Sequence, residues 1–265
     1  MLARIRIELI LFARQKDTVV FTFLLPIVML VLFATVFHDR VQDAHGGSVP
    51  YPQYFLPGIL AAGIGLVSFQ TLAVGIAVER HDGTLKRLAA TPLPPASYFL
   101  GKCVLVLVTA AAQVAVLLTV AALAFRVPLP ARADAWLTFA WVFTIGTMAG
   151  ALLGVAYAGV PRSAASAGVV VAGPVLLLQF VSGVYFNFPD LPRWLQTVAA
   201  VFPLKWIAQG MRSAFLPGSF AAAEPSGSWQ HGAAAVVLGV WAVLGLALCL
   251  RTFRWTPPDG RSVSP

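Results

Sequence analysis

The sequence predicts an all-α integral membrane protein. Six transmembrane helices are expected, with an N-terminal amphipathic interface helix and short re-entrant outer helices before the last span. Three observations predict this. First, 59% of the 265 residues are hydrophobic and only 11% are charged, with a mean hydropathy of +0.84. Soluble domains are about 45–50% apolar and about 25% charged, and a 28.1 kDa globule could not bury so much apolar surface. Second, the apolar residues gather into six runs, each near the ~20 residues that a spanning helix needs. Third, the net charge of +8 suits basic cytoplasmic loops better than a nucleic-acid surface. Soluble enzymes, disordered tails and disulfide-rich secreted modules are excluded. The only cysteines, Cys103 and Cys249, support neither a disulfide framework nor a metal site.

In chain order, residues 1–16 place Leu2, Ile5, Leu9 and Phe12 at three- and four-residue spacing, with Arg4 and Glu8 paired at i,i+4. That pattern predicts a helix lying along the headgroups; a plain basic anchor for the first span is compatible with it. The six runs are Thr18–Phe37, Tyr54–Val78, Cys103–Phe125, Ala135–Gly159, Ala164–Phe186 and Ala233–Leu250, and none contains Asp, Glu, Lys, Arg or His. The first is too long for a signal-peptide core and is set back from the start by Arg14, Lys16 and Asp17. Gly146, Gly150 and Gly154 predict close helix packing within the fourth span.

Six crossings put both termini on one side. With the termini inside, twelve Lys and Arg residues fall in cytoplasmic segments and six in outer ones, and the outer set includes Lys205 and Arg212 in the long final loop. The basic-inside rule therefore favours cytoplasmic termini. Within the outer segment 187–230, Asp190 is expected to cap a helix carrying Leu191, Trp194, Leu195, Val198, Ala199 and Phe202 on one face, ended by Pro203. A second short helix is expected over Lys205–Leu216. Both read as elements dipping into the outer leaflet. The domain comprises residues 1–252, and residues 253–265 form a loose cytoplasmic tail.

Much chemistry is missing from the sequence. There is no phosphate-binding G-x-x-x-x-G-K-[ST] loop, no G-x-S-x-G elbow and no H-E-x-x-H pair. His38, Asp39, Asp43 and His45 in the first outer loop could hold a divalent cation, although a polar external loop accounts for them without one. The polar residues inside the runs are uncharged. Gln70, Gln113 and Gln179 are candidates for a substrate path, and interhelical hydrogen bonding explains them equally well.

The clearest signal is the loop 79–102. It leaves the second span at Glu79-Arg80, breaks at Gly83 and restarts at Thr84, an expected N-cap. A turn or two follows before Thr91-Pro92-Leu93-Pro94-Pro95 ends it. Leu85 and Leu88 share one face beside Lys86 and Arg87, which predicts a short basic helix presenting apolar residues to the cytosol for docking. A simple basic loop obeying the orientation rule is the plainer reading.

The run Glu79-Arg80-His81-Asp82-Gly83-Thr84-Leu85-Lys86-Arg87-Leu88, then Thr91-Pro92-Leu93 and Gly101-Lys102, resembles the loop of ABC-2 type permeases, the membrane subunits of ATP-binding-cassette exporters that include the daunorubicin-resistance type. The likeness extends to the amphipathic start, the six spans and the outer segment with Pro189, Leu191-Pro192, Trp194-Leu195, Phe202-Pro203-Leu204 and Arg212. His81 and Lys86 depart from it, standing where the family often carries acidic residues.

The resemblance implies a homodimer or related heterodimer in the cytoplasmic membrane, served by two cytoplasmic ATPase subunits that hold the ATP and Mg; this chain binds no cofactor. It implies ATPase-coupling roles, mechanical and electrostatic, for Glu79, Arg80, Gly83, Thr84, Leu85, Arg87, Thr91 and Pro92. The expected function is export of an amphipathic drug-like or lipid-linked cargo. An ion-gradient-driven carrier and a membrane-embedded transferase are the rival classes.

Overall fold

The computed structural model describes residues 2–37, 39–42, 47–92 and 94–252. His38, Asp43 and His45 of the possible cation site, Leu93 and the tail 253–265 lie outside the described residues.

The chain opens with α1 (Leu2–Arg14) and α2 (Lys16–Val36). Two antiparallel strands, β1 (Arg40–Gln42) and β2 (Ser48–Pro50), then pair in the connection to the next span. Next come α3 (Tyr51–Gly65), a π-helical segment (Leu66–Thr71), α4 (Leu72–His81) and α5 (Thr84–Ala89). The long helices α6 (Pro95–Phe125), α7 (Ala133–Tyr157) and α8 (Ala164–Val181) follow. Two short helices, α9 (Arg193–Val201) and α10 (Pro203–Phe215), precede α11 (His231–Thr252).

Among the described residues six helical stretches are long and apolar enough to cross a membrane: Lys16–Val36, Tyr51–His81, Ser97–Phe125, Ala133–Tyr157, Ala164–Val181 and His231–Arg251. They match the six expected runs in place and order. Two boundaries differ by more than three residues. Helix α6 starts at Pro95, earlier than expected, because proline suits the first helical turn where no N–H is needed. Helix α8 stops at Val181, short of Phe186, because Gly183 adopts a left-handed φ of +73°.

The core is organised around α3. Phe55 through Ile64 are buried on every side, as expected of a helix that is apolar all round and enclosed by neighbours. Leu30 of α2, Val114 and Leu117 of α6, Val142 of α7, Ile207 and Met211 of α10 and Leu238 of α11 share its core. By contrast α2, α8 and α11 leave Phe21, Val28, Val169, Leu177, Val243 and Leu250 exposed, an apolar perimeter suited to acyl chains.

The glycine run on α7 packs within the chain. A Cβ on Gly146 would sit 2.8 Å from Ile207 Cγ1, one on Gly150 would collide with Ser68 Oγ, and one on Gly154 would sit 2.8 Å from the Phe69 carbonyl oxygen. Helix α10 and the π-helical segment can therefore lie directly against the α7 backbone.

In the outer segment, Asp190 does not cap α9. It closes a single 3-10 turn, Phe188–Asp190, and Pro192 occupies the cap position with no side-chain acceptor. Helix α10 then packs its length against α3 and α7. Its first residues bring Leu204 to Gly65, midway along the span Tyr51–His81, and Ile207 to Gly146, midway along α7. The two short helices expected in this segment are thus present, the second packed into the bundle.

Candidate functional site

The expected coupling loop is a compact knuckle at one end of the bundle. Helix α4 ends at His81, and Gly83 takes φ +79°, a left-handed turn that favours glycine. Thr84 is the first helical residue of α5 and not its cap. Asp82 does the capping, its Oδ1 accepting the Thr84 N–H at 2.8 Å. The Thr84 hydroxyl and, after it, the Thr84 N–H hold the Asp82 carboxyl below the usual carboxylate range, with the Arg87 charge adding to the effect.

The apolar face of α5 is not presented to the cytosol. Leu85 is 2% exposed and packs with Leu72, Ile76, Tyr98 and Val106, and Leu88 rests on the same cluster. The reason is their i,i+3 spacing, which lets both side chains face α4 and α6 at once. What α5 exposes is Lys86, Arg87, Ala89 and Ala90, followed by Thr91 and Pro92. Arg87 Nη2 donates to Thr84 Oγ1 at 3.2 Å, and Thr91 Oγ1 donates to the Leu88 carbonyl at 2.6 Å. Arg80 lies against Gly159, where a Cβ would sit 2.9 Å from Nη1. His81 Nε2 lies 3.2 Å from the Pro161 carbonyl. The knuckle is thereby tied to the α7–α8 connection.

Glu79 belongs to a buried ionic junction. Lys102 Nζ donates to Glu79 Oε1 at 2.5 Å and to Glu8 Oε2 at 2.9 Å, and Tyr98 Oη donates to Glu79 Oε2 at 2.7 Å. Arg4 pairs with Glu8 and stacks 5.4 Å from the Tyr98 ring centre. Helices α1, α4 and α6 are thus clamped by one lysine. Gly101 permits the approach, since its backbone lies under the stems of Arg4 and Glu8. Sequence reasoning missed Glu8, Tyr98 and Lys102 as a unit. The available signal was Glu8 sitting between Ile5 and Leu9 on the apolar side of α1.

The glutamines separate. Gln70 lines a cavity of about 710 Å³ bounded by α1, α2, the π-helical segment, α4 and α6, with Thr18, Thr22, Thr109, Glu8, Glu79 and Lys102 also in its wall. Gln113 is fully buried and donates to the Thr22 carbonyl at 2.6 Å. Gln179 accepts a hydrogen bond from Tyr185 Oη at 2.8 Å. The structure thus uses Gln113 and Gln179 to join elements and leaves Gln70 on open space. A π-helical insertion, a feature frequent at functional sites, places it there.

Charged side chains outside the six runs are buried as well. Lys205 is 3% exposed, donates to Gln209 and lies 5.4 Å from the Phe188 ring centre. Arg212 Nε donates to Glu224 Oε1 at 2.7 Å and Arg212 Nη1 donates to the Gly183 carbonyl at 3.0 Å. These residues lie outside the six runs, and their partners belong to the segment that joins α8 to α11.

The family model described as ABC-2 type transporter aligns with residues 2–216, most of the chain. The chain belongs to the ABC-2 type transporter family. This ABC-2 permease is also similar to two curated relatives, each named "Probable multidrug ABC transporter permease YbhR", from Escherichia coli strain K12 and from Escherichia coli O157:H7. Each is 25% identical over 167 residues, covering 62% of this chain and 44% of the relative. The ABC-2 permease therefore spans less than half the length of the curated relatives it matches.

Proposed function

We propose that this ABC-2 permease is the membrane half of an exporter that moves an amphipathic, drug-like or lipid-linked cargo out across the cytoplasmic membrane, driven by ATP hydrolysed on a separate subunit. It works as a dimer, with a second copy or a related permease. Both termini and the loop 79–102 face the cytoplasm, and segment 187–230 faces outward. Two cytoplasmic ATPase subunits hold the ATP and Mg. The printed names of the relatives support a drug-like cargo.

One observation carries the reading. Helix α5 is seated by Leu85 and Leu88 on α4 and α6 while its basic outer face stays free. A push on Lys86, Arg87, Thr91 or Pro92 is then delivered to two spans together, because close-packed interiors transmit displacement rather than absorb it. Glu79 and Arg80 extend the connection to α1 and to the α7–α8 link. The cavity beside Gln70, with a mostly apolar wall and a cluster of Glu8, Glu79 and Lys102 in it, suits an amphipath.

The test is ATPase stimulation and uptake into inverted vesicles by the permease assembled with its ATPase subunits. Arg87→Glu and Gly83→Pro leave membrane insertion intact and lose coupling between hydrolysis and transport. Normal transport by both variants contradicts the role of the knuckle. The buried Lys205 is the observation that favours an ion-gradient carrier, since such carriers need ionisable groups at depth. Transport that persists without ATP and collapses with a proton uncoupler would establish that rival.

A further inference from the structure

A second cavity, of about 360 Å³, lies among the π-helical segment, α7, α8, the start of α10 and α11. Its volume is at the low end of small-ligand sites. The polar side chains in its wall are already engaged. Ser68 Oγ donates to the Ile64 carbonyl at 2.6 Å, Tyr157 Oη to the Val170 carbonyl at 3.4 Å and Trp241 Nε1 to the Val201 carbonyl at 2.6 Å. An occupant therefore meets only apolar side-chain surface. A drug-like molecule with polar groups would strand them there, whereas an acyl chain has none to strand.

The dimensions agree with an acyl chain. Along α7 the wall runs from Gly146 to Tyr157, a rise of about 17 Å at ~1.5 Å per residue. One leaflet of the hydrocarbon core is about 15 Å deep. Leu204 and Ile207, both buried, line one end of the groove, and Val160 and Leu248, both exposed, line the other, open one.

That open end is cationic. Arg80 lies against Gly159, Arg162 follows Val160 by two residues, and Arg251 follows Leu248 by three, on the same helix face. Nearby carboxylates are committed elsewhere, Glu79 to Lys102 and Tyr98 and Asp82 to the Thr84 N–H. We infer that this groove is a lipid site, holding one acyl chain of an anionic phospholipid with its phosphate at Arg162 and Arg251. Assignment to the inner leaflet rests on the orientation proposed above; occupancy of the groove does not depend on transport.

Trp241 lines the groove and supplies the readout. The full chain is placed in phosphatidylcholine vesicles doped with acyl-brominated phosphatidylglycerol or acyl-brominated phosphatidylcholine. The Trp241 contribution is the quenching lost in Trp241→Phe. Each basic side chain near a membrane surface gives about a fivefold preference for anionic lipid, so Arg162 and Arg251 together give on the order of 25-fold. Half-quenching is expected at a correspondingly lower mole fraction of the anionic lipid. Arg162→Glu with Arg251→Glu, both at exposed positions, removes the preference, and Ala156→Phe fills the groove and removes the Trp241 quenching. Equal quenching by the two lipids overturns the headgroup assignment, and undiminished quenching in Ala156→Phe overturns occupancy of the groove. Neither result depends on whether ATP drives transport.

Discussion

Lys102→Met tests the ionic clamp while retaining an unbranched apolar stem. Lys102 is 5% exposed and bridges Glu8 at 2.9 Å and Glu79 at 2.5 Å. Removing one partner of a buried ion pair costs about 3–5 kcal/mol, because a desolvated charge is left uncompensated. Here each carboxylate keeps one further partner, Arg4 for Glu8 and Tyr98 for Glu79, which places the expectation at the lower end, about 3 kcal/mol. At roughly 2–4 °C per kcal/mol for a chain approaching this size, the melting temperature falls on the order of 6–12 °C. A thiol-reactive dye reports unfolding, since Cys249 is buried in the folded chain. The double variant Glu79→Gln, Lys102→Met regains most of the loss, because Glu8 keeps Arg4 and no uncompensated carboxylate remains. An unchanged melting temperature in Lys102→Met, or a double variant as unstable as the single one, refutes the reasoning.

Other expectations follow from close approach and from capping. Gly154→Leu drives a side chain into the Phe69 carbonyl and costs at least about 1–3 kcal/mol by overpacking, whereas Gly239→Leu, with open space at its Cβ, retains the native melting temperature in the same dye assay. The Asp82 cap makes α5 sensitive to acid. Because the folded carboxyl titrates below its unfolded value of about 3.9, the stabilisation is complete above that value and is lost as pH falls through the lower folded value. Hydrogen exchange at the Thr84 amide therefore accelerates at acid pH beyond its intrinsic dependence, and Asp82→Ala removes that excess.

The spans were legible because bilayer thickness imposes a length on any apolar helix, and each run from Thr18–Phe37 to Ala233–Leu250 found its helix. The break at Gly83 was equally legible, since few residues accept a left-handed turn between helices. The direction of Leu85 and Leu88 was not. Six residues of helix show that two leucines share a face, but only the neighbouring α4 and α6 decide whether that face is buried. The lysine clamp draws on Glu8, Glu79 and Lys102, residues far apart in the chain, and leaves no periodic trace. The π-helical segment was invisible because it adds one residue to a turn without changing its apolar character. That Lys205 and Arg212 are buried was not legible either, since their partners Phe188, Gly183 and Glu224 are distant in the chain.

The central claim is that the exposed face of α5 meets the ATPase subunit in the cytosol. A photo-crosslinking residue in place of Thr91, compared with one in place of Ser226 in the outer segment, tests both contact and orientation in intact cells. The account predicts an adduct between the ATPase subunit and position 91, and none from position 226. An adduct from position 226, or failure of position 91 to capture the ATPase in an assembled complex, contradicts it.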